Sequence, residues 1–157
     1  MQSDCCCRQI LDVPHRYKLF LIEDSPDDVL LIEHALQRSG LNESFEVTRR
    51  FEAAEHALEY FLNNSKMSEP ESLPDIIILD LRLPAFSGFD FLARLQPLEP
   101  RPVIGVFSVS TLPEDKEKAL AYGADLFQTK TFEMDEFTQF LHSLARMVDK
   151  RRARKPH

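Results

Sequence analysis

The sequence predicts an α/β fold, a doubly wound parallel sheet of five strands flanked by five helices. Two observations predict it. Asp75-Ile76-Ile77-Ile78-Leu79-Asp80 holds an unbroken β-branched run. A strand of that kind is covered on both faces, as central strands of parallel sheets are. Short apolar runs alternate with helical stripes five times between Tyr17 and Lys150. Strands alternating with helices in this way build parallel sheets, and right-handed crossovers put helices on both faces.

Each element follows from local signals. Lys18 to Ile22 is an apolar run that stops at the acidic pair Glu23-Asp24, and it reads as a buried strand. Ser25-Pro26-Asp27-Asp28 starts a helix: proline suits the first turn and acidic residues suit the positive end of the dipole. Val29, Ile32, Ala35 and Leu36 supply its apolar stripe, and Gly40 is its expected stop. Phe45 to Thr48 is a weaker, partly exposed strand. Glu52 to Asn63 is a helix with Ala54, Ala57, Leu58 and Phe61 on one face. Asn64 to Pro74 is a polar loop. After the central strand, Ser87-Gly88 precedes a short helix over Phe89 to Leu95. Val103 to Phe107 is the fourth strand, and Glu114 to Tyr122 the fourth helix, stopped by Gly123. Leu126 to Gln128 is the fifth strand, and Met134 to about Arg152 the fifth helix.

Composition excludes several classes of function. The 157 residues carry a formal net charge of −7. Phosphate contacts need clustered Lys and Arg, so no nucleic-acid partner is expected. No apolar run approaches the roughly 20 residues that cross a bilayer, and no membrane partner is expected. The cysteines are the adjacent trio Cys5, Cys6 and Cys7. That spacing fits neither a disulfide framework nor a zinc site. A reducing, cytoplasmic setting is expected. Residues 1–16 are expected to be a flexible arm, 17–150 the folded domain and 151–157 a basic tail. The stretch from Arg146 holds six basic side chains, Arg146, Lys150, Arg151, Arg152, Arg154 and Lys155, against Asp149. Cations at a helix C-terminus explain that run most simply.

In open α/β sheets the site lies beyond the carboxyl ends of the strands. That rule selects Glu23 and Asp24 after strand one, Asp80 at the end of strand three, Ser108 after strand four and Lys130 after strand five. Three carboxylates brought together repel one another unless a cation compensates. Mg²⁺ suits such a set, with carboxylates, a backbone carbonyl and waters as ligands. Asp24 is the expected direct ligand, and Glu23 is expected to act through water. Asp80 is a candidate nucleophile, because carboxylates carry phosphoryl groups as acyl phosphates. Lys130 brings a fixed positive charge to phosphoryl oxygens. Ser108 offers them a hydroxyl. Ser110 competes for that role, and Ser108 is preferred because Phe107 ends the apolar run directly before it.

The pattern closely resembles the receiver domain of bacterial response regulators, the chemotaxis-regulator fold. The matching pieces are Leu21-Ile22-Glu23-Asp24-Ser25-Pro26-Asp27-Asp28, Ile78-Leu79-Asp80-Leu81-Arg82-Leu83-Pro84 with Ser87-Gly88, Phe107-Ser108, and Thr129-Lys130. The resemblance implies a flavodoxin-like strand order of 2-1-3-4-5. It implies that Asp80 is the phosphoacceptor and that Glu23 and Asp24 are the acidic pair of a Mg²⁺ site. The backbone carbonyl of Arg82 would be a third protein oxygen there. Lys130 would contact the phosphoryl group. Ser108 would be the switch hydroxyl and Phe127 the switch aromatic. The phosphoryl group would come from a phosphohistidine on a sensor histidine kinase. The chain would then be a signalling switch, not an enzyme acting on other substrates.

Within the family, Glu-Asp-Ser-Pro-Asp-Asp after strand one, the long loop from Asn63 to Pro74 and Ser-Val-Ser at 108–110 look most like stand-alone regulators paired with phytochrome-type histidine kinases. That likeness implies a homodimer, and 157 residues imply a receiver without an attached output domain. Three features depart from the common pattern: Thr131 stands where many receivers have proline, Gly105 interrupts strand four, and Phe107 is unusually large. Two other readings stand beside this one. One is a degenerate receiver that only binds partners. The other is a Mg²⁺ phosphatase on a related scaffold, which Leu81 and Arg82 after Asp80 disfavour, since such enzymes need a second Asp there as acid–base.

Overall fold

The structure, a computed structural model, describes residues 16–64, 73–83, 85–99 and 101–154. The elements run β1 (Tyr17–Ile22), α1 (Pro26–Arg38), a 3-10 turn (Leu41–Glu43), β2 (Phe45–Phe51), α2 (Ala54–Asn64), β3 (Ile76–Leu79), α3 (Gly88–Leu95), β4 (Val103–Ser108), α4 (Pro113–Ala121), β5 (Leu126–Thr129) and α5 (Met134–Arg154). The five strands form one sheet in the order β2-β1-β3-β4-β5. Every pairing is parallel. The α/β class, the doubly wound arrangement and the implied strand order therefore hold.

Strand alternation sorts the core into two layers. Leu19, Leu21, Ile76, Ile78, Val103 and Phe107 face α1 and α5, where they meet Ile32, Leu36, Phe137, Phe140, Leu141 and Leu144. Phe20, Ile22, Ile77, Leu79, Ile104 and Val106 face α2, α3 and α4, where they meet Ala57, Phe61, Phe91, Leu92, Leu95 and Ala119. Covering on both faces is why β3 reads as one apolar run.

β2 and α5 run two or more residues past their expected ends. β2 continues three residues past Thr48. Its pairing with β1 slips between Leu19 and Phe20, which leaves Thr48 without a partner residue. The outward arginines that broke the apolar pattern are held on the surface: Arg50 pairs with Glu33, and Arg49 lies 4.3 Å over the Tyr60 ring. α5 runs through Arg154, so Arg151 to Arg154 are helix rather than tail. Their charges are used within the fold. Asp125 accepts Arg151 at 2.5 Å, and Asp75 accepts Arg152 at 2.6 Å. Each aspartate also accepts a backbone amide of the neighbouring strand, Ile104 for Asp125 and Lys18 for Asp75, both at 2.8 Å. The end of α5 is thus clasped to the amino ends of the strands.

Gly105 has a packing reason. A Cβ there would lie 2.7 Å from Leu144 Cδ1 and 2.9 Å from Phe140 Cζ. The glycine lets α5 sit close, and Phe107, two residues on and on the same face, fills the adjoining space. Its ring stacks on Phe140 at 5.4 Å and meets Phe132 edge-on at 5.8 Å. Among the described residues, no helix is long and apolar enough to cross a membrane. The cysteine trio, most of the predicted arm and residues 155–157 lie outside the described residues.

Candidate functional site

Sheet register builds the site. β1 ends at Ile22, and the Glu23 amide still bonds the Phe51 carbonyl at 3.0 Å. The Asp80 amide likewise reaches the Ile22 carbonyl at 3.0 Å, one residue beyond β3. The Lys130 amide donates to the Ser108 carbonyl at 2.7 Å. Each residue leaves its strand at a fixed level, so the side chains converge on one edge of the sheet.

One carboxylate oxygen from each of Glu23, Asp24 and Asp80 lies within 4.8 Å of the other two. Glu23 and Asp80 are each 5% exposed, whereas Asp24 is open to solvent. Lys130 is buried beside them. Its Nζ lies 2.8 Å from Glu23 Oε2, 2.6 Å from Asp28 Oδ2 and 3.5 Å from Asp80 Oδ2. Burial pushes the Glu23 carboxyl up, and the nearby Asp80 charge adds to the rise. Hydrogen bonds from Lys130 and the Ser25 amide oppose it, and the balance is about 7. Burial alone would pull Lys130 down, but its bonds to Asp28 and Glu23 and the Asp80 charge overcome that and hold it above the usual lysine range. The lysine is a permanent cation in this site.

The loop after Asp80 is fixed by a close approach. A Cβ on Gly88 would lie 2.7 Å from both the Asp80 carbonyl oxygen and Leu81 Cα. Only glycine lets the start of α3 rest there, with its amide on the Leu81 carbonyl at 3.1 Å. Ser87 caps α3 by accepting the Asp90 amide at 3.2 Å. The Arg82 amide donates to Asp80 Oδ1 at 3.2 Å, while the Arg82 guanidinium lies 3.7 Å from Asp115 on the surface.

The two serines are now distinct. Ser108 is fully buried at the end of β4, one residue past the position level with Asp80. Ser110 is committed elsewhere: its hydroxyl donates to Asp115 at 2.5 Å and accepts the Leu112 amide at 3.2 Å. Phe127 sits half-buried in β5 beside Val106, against the α2–α4 layer. Thr131 uses its hydroxyl to accept the Glu133 amide at 3.2 Å, which shapes the turn after Lys130.

The structure brings together Glu23, Asp24, Asp80 and Lys130, with Ser108 and Phe127 on the adjoining strands. It also adds Asp28. The sequence marks that residue as a first-turn acid of α1 and as the end of the Glu23–Asp28 motif, without assigning it to the site. Ser25, three residues earlier, accepts the Asp28 amide at 3.3 Å and fixes that residue in the first turn of α1. The donor set is all oxygen, anionic and partly open to water. It is capable of chelating a divalent cation, and hard cations such as Mg²⁺ prefer such ligands.

Residues 19–142 match the response regulator receiver domain family. The chain belongs to that family. Over 76 residues this receiver is 47% identical to the transcriptional regulatory protein KdpE of Mycobacterium tuberculosis, a match covering 48% of this chain and 33% of KdpE. The structure of the phosphorylated cyanobacterial phytochrome response regulator RcpA is similar at a TM-score of 0.63, with 25% identity, covering 84% of this chain and 91% of that one. The Mn²⁺-bound response regulator Rcp1 is similar at a TM-score of 0.63 with 20% identity, covering 84% and 94%. The receiver spans only a third of KdpE, so control of transcription belongs to that longer protein.

Proposed function

We propose that this receiver accepts a phosphoryl group on Asp80 from the phosphohistidine of a sensor histidine kinase and signals through a change of conformation. The observation that carries this is the cluster of Glu23, Asp24 and Asp80 carboxylates, with the Lys130 ammonium facing Glu23 and Asp80. An Asp80 Oδ attacks phosphorus, the phosphorus–nitrogen bond to the histidine breaks, and the imidazole leaves with that electron pair. An acyl phosphate remains. Glu23, Asp24, Asp80 and the Arg82 carbonyl would hold Mg²⁺, which supplies charge neutralisation to the phosphoryl oxygens when bound. Lys130 neutralises further charge on the phosphoryl oxygens. Ser108 then donates its hydroxyl to a phosphoryl oxygen, and Phe127 on the neighbouring strand follows it.

The kinase is proposed to be of the phytochrome type, and the receiver to form a homodimer. The Glu-Asp-Ser-Pro-Asp-Asp motif supports the phytochrome reading, as does the likeness to RcpA, a cyanobacterial phytochrome response regulator. The test is intact-mass measurement after incubation with acetyl phosphate and Mg²⁺. The wild type should gain the mass of one phosphoryl group, and Asp80→Asn should gain none. Equal labelling of both proteins would overturn the assignment.

A further inference from the structure

The Lys130 ammonium has three donors and faces three carboxylates. It does not share them evenly. Asp28 is nearest at 2.6 Å and Glu23 next at 2.8 Å, while Asp80 stands at 3.5 Å. Normal N–H···O bonds end near 3.2 Å. The lysine therefore leans toward α1 and away from the phosphoacceptor. The two carboxylates that hold it also differ. The Glu23 side chain is 5% exposed, whereas the Asp28 side chain is 27% exposed. Losing the lysine would leave Glu23 buried beside Asp80 with no cation. Asp28 can exchange the lysine for water at far lower cost. Asp28 is the releasable partner.

We propose that Asp28 is a positioning residue that holds Lys130 back in the unphosphorylated receiver and must yield it when a phosphoryl group approaches Asp80. The inference rests on the reading of Asp80 as phosphoacceptor. Asp28 touches neither the phosphoryl donor nor the reacting carboxylate; it acts through Lys130. Its ion pair has to open before the ammonium can turn to a phosphoryl oxygen, so it stabilises the unphosphorylated arrangement and raises the barrier to the reaction. Removing the carboxylate lowers that barrier. Asp27 provides an internal comparison: it adjoins Asp28, carries the same charge in the first turn of α1, and is exposed.

The experiment follows labelling by acetyl phosphate with Mg²⁺ in wild type, Asp28→Asn, Asp28→Ala, Asp28→Glu and Asp27→Asn. Asp28→Asn and Asp28→Ala should label roughly tenfold faster, the scale of one charged hydrogen bond lost from the ground state. Asp28→Glu should stay near wild type, and so should Asp27→Asn. A second readout needs no activity. In metal-free protein the ¹⁵N-labelled Lys130 Nζ resonance should shift in Asp28→Asn and stay in place in Asp27→Asn. Slower or unchanged labelling in Asp28→Asn, or equal acceleration in Asp27→Asn, would overturn the inference. Loss of labelling in the wild type itself would instead overturn the assignment of Asp80.

Discussion

Leu144 of α5 closes over Gly105 of β4, with its Cδ1 2.7 Å from the place a Cβ would occupy. An unusual glycine in a covered strand is thereby explained by the helix lying on it. Gly105→Ala pushes a methyl group into Leu144 and Phe140, both at the centre of the α1–α5 layer. Overpacking of this kind costs about 1–2 kcal/mol. Urea unfolding measures it. Leu144→Ala in the same chain should recover part of the loss, so the double variant should be more stable than the two single costs add up to.

The clasp at the far end of the sheet gives a second expectation. Asp125 holds Arg151 at 2.5 Å and Arg101 at 3.5 Å, and it accepts the Ile104 amide. Its side chain is 17% exposed, whereas Arg152, which pairs with Asp75, is 46% exposed. Asp125→Ala should therefore cost about 2 kcal/mol, because it strips several donors of one partly buried acceptor. Arg152→Ala should cost well under 1 kcal/mol, as exposed pairs do. Thermal unfolding at low and high salt separates them.

Strands were legible wherever burial was complete. Ile76 to Leu79 and Leu19 to Ile22 announce themselves because both faces are apolar. β2 looks shorter in the sequence than it is because Arg49 and Arg50 break the pattern, yet an edge strand needs only one neighbour and tolerates outward charge. The strand-end rule located Glu23, Asp24, Asp80 and Lys130, since backbone register alone brings them together. Asp28 and the clasp were not legible. Both depend on which long side chain folds back on which carboxylate, and one-dimensional spacing does not carry that. Asp75 and Asp125 left a faint trace, each standing just before a strand, but their arginines come from the far end of the chain.

The acidic set predicts a metal-linked gain in stability. Mg²⁺ at ten times its dissociation constant should raise the unfolding free energy by about 1.4 kcal/mol by mass action. Asp24→Asn should lose most of that gain, because it removes the solvent-facing ligand and leaves the buried Glu23–Lys130 pair in place. Asp27→Asn should keep it, since that carboxylate is outside the cluster. Thermal shifts across a Mg²⁺ titration read all three proteins. Equal gains in Asp24→Asn and wild type would remove Asp24 from the site.

Glu23 sets a pH dependence in the metal-free protein. Its carboxyl titrates near 7 in the fold against 4.5 for the ordinary side chain, chiefly because it is buried. Between those values the folded chain binds a proton that the unfolded chain has released. Stability from this group is complete below about 4.5 and falls as pH rises toward 7, then levels off. The full change is at most about 3 kcal/mol, by the linkage of 1.36 kcal/mol per pKa unit. Glu23→Gln removes the titration while keeping the side-chain size and a hydrogen-bond acceptor for Lys130. Urea unfolding of the metal-free proteins from pH 5 to 8 should show wild type weakening across that window relative to Glu23→Gln. A constant difference between the two across the range would mean that Glu23 keeps an ordinary carboxylate in the fold.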